Sequence, residues 1–203
     1  MKTLQEINNE LKALYGETSL DFTDKGADTG HSYIDFYASH FEPKRAECRL
    51  LELGISSGGS AYLWSKYFDD LDYHSFDIAP GFAQECPFQE ELVKDERINL
   101  YWGCSTFDPE LAAQFTDCDF VIDDGDHRAS SQFQTFKNYW SAVAKGGVYF
   151  VEDVFDTATA KQLTVQLEFY LKSIDAEYEI DTFYGKRIAE GRLDDIIIYV
   201  KKL

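Results

Sequence analysis

Residues 49–60 read RLLELGISSGGS. An apolar run, Arg49–Ile55, enters a glycine-rich turn, and Ser60–Phe68 then reads as a helix. Glycine lets backbone approach a ligand closely and take positive φ. A strand that turns through glycines into a helix is where doubly wound sheets bind nucleotides. A purely structural strand–helix turn is the alternative. The spacing is not G-x-G-x-x-G, so a pyrophosphate-binding dehydrogenase loop fits less well. Asp77, in YHSFDIAPG, ends the next apolar run, where an acid can accept hydrogen bonds from both ribose hydroxyls. Together the loop and Asp77 point to a nucleoside site.

Working outward, strands and helices alternate. Tyr73–Ile78, Ile98–Gly103, Asp119–Asp123 and Val148–Glu152 read as further strands, separated in part by helices at about 107–115 and 130–144. Such alternation implies parallel strands joined by right-handed crossovers. Thr157–Ile174 reads as a longer helix. Tyr178–Tyr184 and Asp195–Lys201 are joined by GKRIAEGRL, too short for a crossover helix, so they are expected antiparallel. Upstream, Leu4, Ile7, Leu11 and Leu14 recur at helical spacing before Gly16, and a second helix is expected over Ser32–Phe41, ended by Pro43. Between them lies a polar loop, TDKGADTGHSY, residues 23–33.

Acidic residues collect at two strand ends. VIDDGDH places Asp123, Asp124, Asp126 and His127 after the fourth strand, and FVEDV places Glu152 and Asp153 after the fifth. Adjacent strands lie about 4.8 Å apart, so both groups meet above the carboxyl edge of the sheet, where ligands bind. Converging carboxylates repel one another. A hard divalent ion such as Mg²⁺ relieves this with oxygen ligands; helix capping in water is the blander alternative.

The segment E-L-G-I-S-S-G-G-S, followed by the acid of the second strand, resembles the first motif of class I S-adenosylmethionine-dependent methyltransferases. The resemblance implies a Rossmann-like α/β fold, a seven-stranded, mostly parallel sheet in the order 3-2-1-4-5-7-6 with helices on both faces. It also implies that Gly54, Gly58 and Ser60 hold the methionyl part of the cofactor, that Glu52 receives its ammonium, and that Asp77 holds the ribose. D-D-G-x-H followed by E-D is similar to the macrolide sugar O-methyltransferases of the macrocin and mycinamicin types, and to cephalosporin hydroxylase-like proteins. By that resemblance Asp124, Glu152 and Asp153 hold Mg²⁺, His127 is the general base, and Asp123 faces the cofactor. The 23–33 loop covers cofactor and substrate; Lys25, His31 and Tyr33 stand out in it, with Tyr33 nearest the methionyl end. The likeness spans about residues 22–155 and the last strand, DDIIIYV.

There are departures. G-C-S-T-F, residues 103–107, stands where the family usually has G-D-Q-S-D, which leaves the adenine contact to the Cys104 backbone or to Ser105. Asp126 replaces a common Ser or Asn. The extra N-terminal domain of the longer macrolide enzymes has no counterpart in this sequence. The expectation is one cofactor-binding domain over residues 1–203, with 1–45 forming N-terminal helices and a covering loop and 46–203 the core. Its activity would be Mg²⁺-dependent O-methylation of a hydroxyl on a small molecule or sugar. A metal-dependent hydroxylase-like enzyme on the same fold and a non-catalytic nucleoside-binding module are the rivals, since fold does not fix function.

Composition narrows the partners. With 203 residues and 44% apolar content, the chain supports one full core. Nineteen basic against 37 acidic residues give a net charge of −18, a field that repels phosphate backbones and anionic membranes. Neither nucleic acid nor membrane is therefore expected as a partner; self-association is left open. No apolar run reaches the roughly 20 residues of a membrane span, and MKTLQEINNELKAL lacks the core of a signal peptide, so a cytoplasmic location is expected. The four cysteines form no C-x-x-C pair and read as free thiols.

Overall fold

The computed structural model describes residues 1–16, 22–26 and 30–203. Residues 27–29 of the covering loop, and 17–21 before it, lie outside the described residues. The strands are β1 (Glu47–Leu53), β2 (Asp70–Asp77), β3 (Ile98–Trp102), β4 (Cys118–Asp123), β5 (Val143–Val151), β6 (Tyr178–Tyr184) and β7 (Ile196–Lys202). They form one seven-stranded sheet in the order 3-2-1-4-5-7-6. The pairs from β3 to β5 are parallel, and β7 runs antiparallel to both β5 and β6. This is the architecture expected from the sequence.

The side-chain alternation of a strand explains why both faces are covered. Leu50 packs into one core with Phe120 and Phe150, under the helices α1 (Leu4–Tyr15), α2 (Ile34–Phe41) and α3 (Gly59–Tyr67). Leu51 and Leu53 pack into the other with Val121, Tyr149 and Val151, under α6 (Ala129–Tyr139) and α7 (Thr157–Ser173). Two short helices, α4 (Gln89–Lys94) and α5 (Pro109–Ala112), precede β3 and β4; α4 is absent from the sequence reading.

Several boundaries differ for local reasons. α1 opens with a Thr3–Glu6 capping box and stops at Gly16, whose φ is 122°. Leu4, Ile7 and Leu11 are buried, but Leu14 is 72% exposed, so the fourth position of the apolar stripe belongs to solvent. α2 begins at Ile34, two residues late, because Ser32 is bonded through its N–H and hydroxyl to Asp195. β5 begins at Val143 instead of Val148. Gly146 (φ 83°) and Gly147 form an irregularity within the strand; a Cβ on Gly147 would lie 2.8 Å from the Asp119 carbonyl. The helix expected to reach 144 ends at Tyr139 in a 3₁₀ turn, and GKRIAEGRL likewise holds a 3₁₀ turn, Lys186–Glu190.

The register brings the functional ends level. Leu53 pairs with Phe76 and Asp123, and Asp123 pairs with Val151. The ladder continues one step further: Asp124 N–H donates to the Leu53 carbonyl at 2.9 Å and Glu152 N–H to that of Asp123 at 3.0 Å. The residues after β1, β4 and β5 therefore leave the sheet side by side.

Candidate active site

A cavity of about 650 Å³ opens at this edge, lined by the glycine loop, Asp77, residues 104–107 and residues 124–127. The loop is shaped by its glycines. Gly54 has φ 117°, and a Cβ there would sit 2.1 Å from the Asp124 carbonyl oxygen. Gly58, at φ 82°, starts α3. Asp77 fastens the turn: Oδ2 accepts the N–H groups of Ile55 (3.0 Å) and Ser56 (3.1 Å), and Oδ1 that of Ala79 (2.8 Å). Each carboxylate oxygen has more than one acceptor site, so Asp77 can hold the loop and still face a ligand's hydroxyls.

Of the expected cofactor residues, Gly54, Ser60, Asp77, Cys104 and Ser105 line the cavity, whereas Gly58, Glu52, Tyr33 and Asp123 do not. Gly58 faces Phe82 and Leu92. Glu52 is sealed beneath the sheet edge, accepting from Tyr73 OH (2.7 Å) and Trp64 Nε1 (3.2 Å). Tyr33 is buried, its hydroxyl 2.9 Å from Asp153 Oδ1 and its ring stacked on His31. Asp123 is buried with Thr135 and Tyr149, and burial pushes its carboxyl up to about 7.

Deeper still sits Lys25, fully buried. Its Nζ lies 2.6 Å from Glu152 Oε2, 2.9 Å from Asp124 Oδ2 and 3.4 Å from Glu52 Oε1. Burial alone would favour the neutral amine, but these three carboxylates outweigh it and hold Lys25 well above its ordinary value. Burial raises Glu152 far above the usual carboxylate range. Asp124, though also raised by burial, is drawn below that range by Lys25 and His127. The other oxygen of Glu152 accepts from Tyr37 OH.

On the cavity side, Asp124, His127 and Asp153 bring one ligand atom each to within 4.8 Å of one another. His127 Nε2 is 3.5 Å from Asp124 Oδ1, and Nδ1 is 3.4 Å from Asp153 Oδ2. The adjacent Asp124 carboxylate, with Asp153 and Glu152 nearby, holds His127 up to about 9. Asp153 has φ 52°, a left-handed backbone that aspartate tolerates better than most residues. Two carboxylates and an imidazole so close together suit a hard divalent ion. Glu152, the third expected ligand, is directed at Lys25 and Tyr37.

Asp195 is a site residue that sequence reasoning missed. It is buried at the head of β7, accepts from Ser32 N–H (2.8 Å), Ser32 Oγ (2.6 Å) and Arg187 N–H (3.0 Å), and lies 3.6 Å from His31 Nδ1. His31 Nε2 is in turn 3.1 Å from Asp153. Asp195 thereby ties the covering loop to the sheet beside Asp153. An acid pair directly before IIIYV was its only trace in the sequence.

Fold, glycine loop and acidic edge together define a class I S-adenosylmethionine-dependent methyltransferase. Residues 51–154 match the family model described as a methyltransferase domain, and the chain belongs to that family. It is related to macrolide sugar O-methyltransferases: it is 32% identical over 133 residues to demethylmacrocin O-methyltransferase of Streptomyces fradiae, covering 62% of this chain and 32% of that protein. A tetracenomycin rhamnosyl 3'-O-methyltransferase of Streptomyces olivaceus is 30% identical over 136 residues, covering 62% and 33%. The chain thus spans about a third of the length of these curated relatives. Among solved structures, MycE methyltransferase from the mycinamycin biosynthetic pathway, in complex with Mg and SAH, superimposes with a TM-score of 0.70 at 21% identity, covering 99% of this chain and 55% of that one. Among the described residues no helix is long and apolar enough to cross a membrane.

Proposed function

We propose that this chain transfers a methyl group from S-adenosylmethionine to a hydroxyl of a small molecule or sugar, with Mg²⁺ as a helper ion. The observation that carries this is the continuity of one cavity from the glycine loop and Asp77 to Asp124 and His127. A nucleoside seated on Asp77 leaves the other end of the cavity for the acceptor. Asp124 and Asp153 would hold the ion, with Glu152 directly behind them. When bound, Mg²⁺ supplies positive charge that lowers the pKa of a nearby hydroxyl. His127, half-exposed on the cavity wall, would take the acceptor's proton on an imidazole nitrogen once an ion on Asp124 and Asp153 offsets the carboxylate charges that otherwise keep it protonated, and the cavity walls line up acceptor oxygen and methyl group. The relatives named as sugar O-methyltransferases support the acceptor class. Four free cysteines, three of them buried, accord with a reducing, cytoplasmic setting.

The test is transfer of an isotope-labelled methyl group from S-adenosylmethionine to a panel of deoxysugar glycosides. Label on a glycoside hydroxyl, lost on adding EDTA and restored by Mg²⁺, is expected. Transfer that ignores EDTA refutes the role of the ion, and label found only on nitrogen or carbon acceptors refutes the hydroxyl.

A further inference from the structure

The two carboxylate oxygens of Asp153 are used differently. Oδ2 lies 3.4 Å from His127 Nδ1, on the cavity side. Oδ1 accepts from the Tyr33 hydroxyl at 2.9 Å and lies 3.1 Å from His31 Nε2. Tyr33 and His31 are both buried, and their rings stack with centroids 4.6 Å apart. Asp195, at the head of β7, is 3.6 Å from His31 Nδ1, so the imidazole stands between two carboxylates. The loop that delivers both residues is tied across its neck: His31 N–H donates to the Asp24 carbonyl at 2.7 Å, and Tyr33 N–H to that of Lys25 at 2.9 Å. Asp24, His31 and Asp153 also bring one ligand atom each to within 4.8 Å of one another. The Arg192 guanidinium lies against His31 Nε2, however, and Tyr33 engages Asp153 Oδ1, so a second ion there would meet a cation and an oxygen already in use.

We infer that His31 and Tyr33 are positioning residues for Asp153: they engage Oδ1 and leave Oδ2 as the oxygen presented to the cavity. A left-handed backbone such as that of Asp153 persists where its surroundings fix it, and here both ends of the residue are fixed. Its chain is held on the far side by the bond from Val154 N–H to the Ile196 carbonyl at 3.2 Å, and its carboxylate by the two donors of the loop. Hydrogen bonds of this kind orient a ligand carboxylate before an ion arrives. The acids of the site, Asp124, Glu152 and Asp153, are unchanged by this, as is His127 at the acceptor's proton. This rests on the proposed divalent-ion site and adds to it the two side chains that aim one of its acids.

Mn²⁺ serves as the probe, its free concentration read by electron paramagnetic resonance on the intact chain. Tyr33→Phe removes one hydroxyl from a buried ring, and His31→Ala removes the imidazole. Each should lower Mn²⁺ affinity by about 10- to 100-fold. His31→Gln puts an N–H back at similar reach and should recover most of that loss. S-adenosylhomocysteine should bind all three variants within about threefold of wild type, because neither residue lines the cavity. A purely structural pair would lower Tm and leave Mn²⁺ affinity unchanged, which overturns the inference. So does a Tyr33→Phe variant that loses affinity for the nucleoside and keeps it for the ion. If His31→Ala does not fold, Tyr33→Phe decides alone. Should wild type bind no Mn²⁺ while S-adenosylhomocysteine still binds, the metal part of the proposed function fails on its own. The ring-nitrogen magnetic resonances of His127, recorded at fixed pH on the metal-free chain, then decide. Their movement in Tyr33→Phe upholds the positioning of Asp153, and unmoved resonances overturn it.

Discussion

Replacing Asp77 separates the two tasks of its carboxylate. In Asp77→Ala the N–H groups of Ile55, Ser56 and Ala79 lose their acceptor, at 2.8–3.1 Å in the native loop. Ser56 is exposed and sits at φ 49°, so water can reach its N–H and the left-handed turn loses its anchor. A charge-assisted hydrogen bond contributes about 1.5–3 kcal/mol. With water replacing part of the set, the expected loss of stability is about 1.5–3 kcal/mol. That corresponds to a fall in Tm of about 3–12 °C for a chain of this length. Loss of the ribose acceptor should also weaken S-adenosylhomocysteine by about 1.5–3 kcal/mol, roughly 10- to 150-fold. Asp77→Asn keeps one acceptor oxygen, so it should recover most of the Tm and little of the affinity. Differential scanning fluorimetry and calorimetric titration of the three proteins give both quantities. If Asp77→Ala binds the nucleoside as tightly as wild type, the ribose assignment is refuted; if its Tm is unchanged, the loop-anchoring argument is.

His127→Ala should lower turnover by about 10²–10⁴-fold with little change in Tm, because His127 is half-exposed and outside both cores; an unchanged rate with a labelled acceptor removes it from the chemistry. Gly59→Ala places a Cβ 1.8 Å from the Phe22 carbonyl oxygen, so the covering segment must shift, at a cost of about 1–3 kcal/mol, measurable as denaturant midpoint. Asp195→Ala breaks a buried charge pair and should cost about 3–5 kcal/mol, read by chemical denaturation. The pH dependence has two limits. Asp195 is raised by burial but drawn below the usual carboxylate range by His31 and Ser32, so its contribution is complete above about pH 4 and lost as pH falls further. Despite burial, the carboxylates of Asp153 and Asp195 hold His31 up to about 10, so its contribution is complete below about pH 6.5 and lost as pH rises through about 10. The stability gap between wild type and His31→Gln should therefore narrow across pH 6.5–10; a gap that widens contradicts the sign.

The inner strands were legible because they are apolar on both faces: in β1, Leu50, Leu51 and Leu53 leave no solvent side, and glycine or acid punctuates the carboxyl ends of β1 to β5. The glycine loop, Asp77 and the Asp124–His127 turn were legible for the same reason, since strand ends fix backbone positions. Side-chain direction was not. Glu152 and Asp153 are adjacent in sequence, yet one faces Lys25 and the other His127. That split depends on a lysine from a distant loop and on the left-handed backbone of Asp153. Tyr33 stood out in the sequence for the methionyl end of a cofactor, but its buried hydroxyl meets Asp153. Asp195 was hidden because a buried acid at a strand start looks like an exposed one until its partners, Ser32 and Arg187, are known.

The account stands most directly on the nucleoside site. Calorimetric titration of the intact chain with S-adenosylhomocysteine, with and without Mg²⁺, tests it. Binding of one molecule per chain at about micromolar Kd, near −8 kcal/mol, is the predicted result, with the same stoichiometry in the presence and absence of the ion. Wild-type protein that gives no binding at millimolar ligand contradicts it.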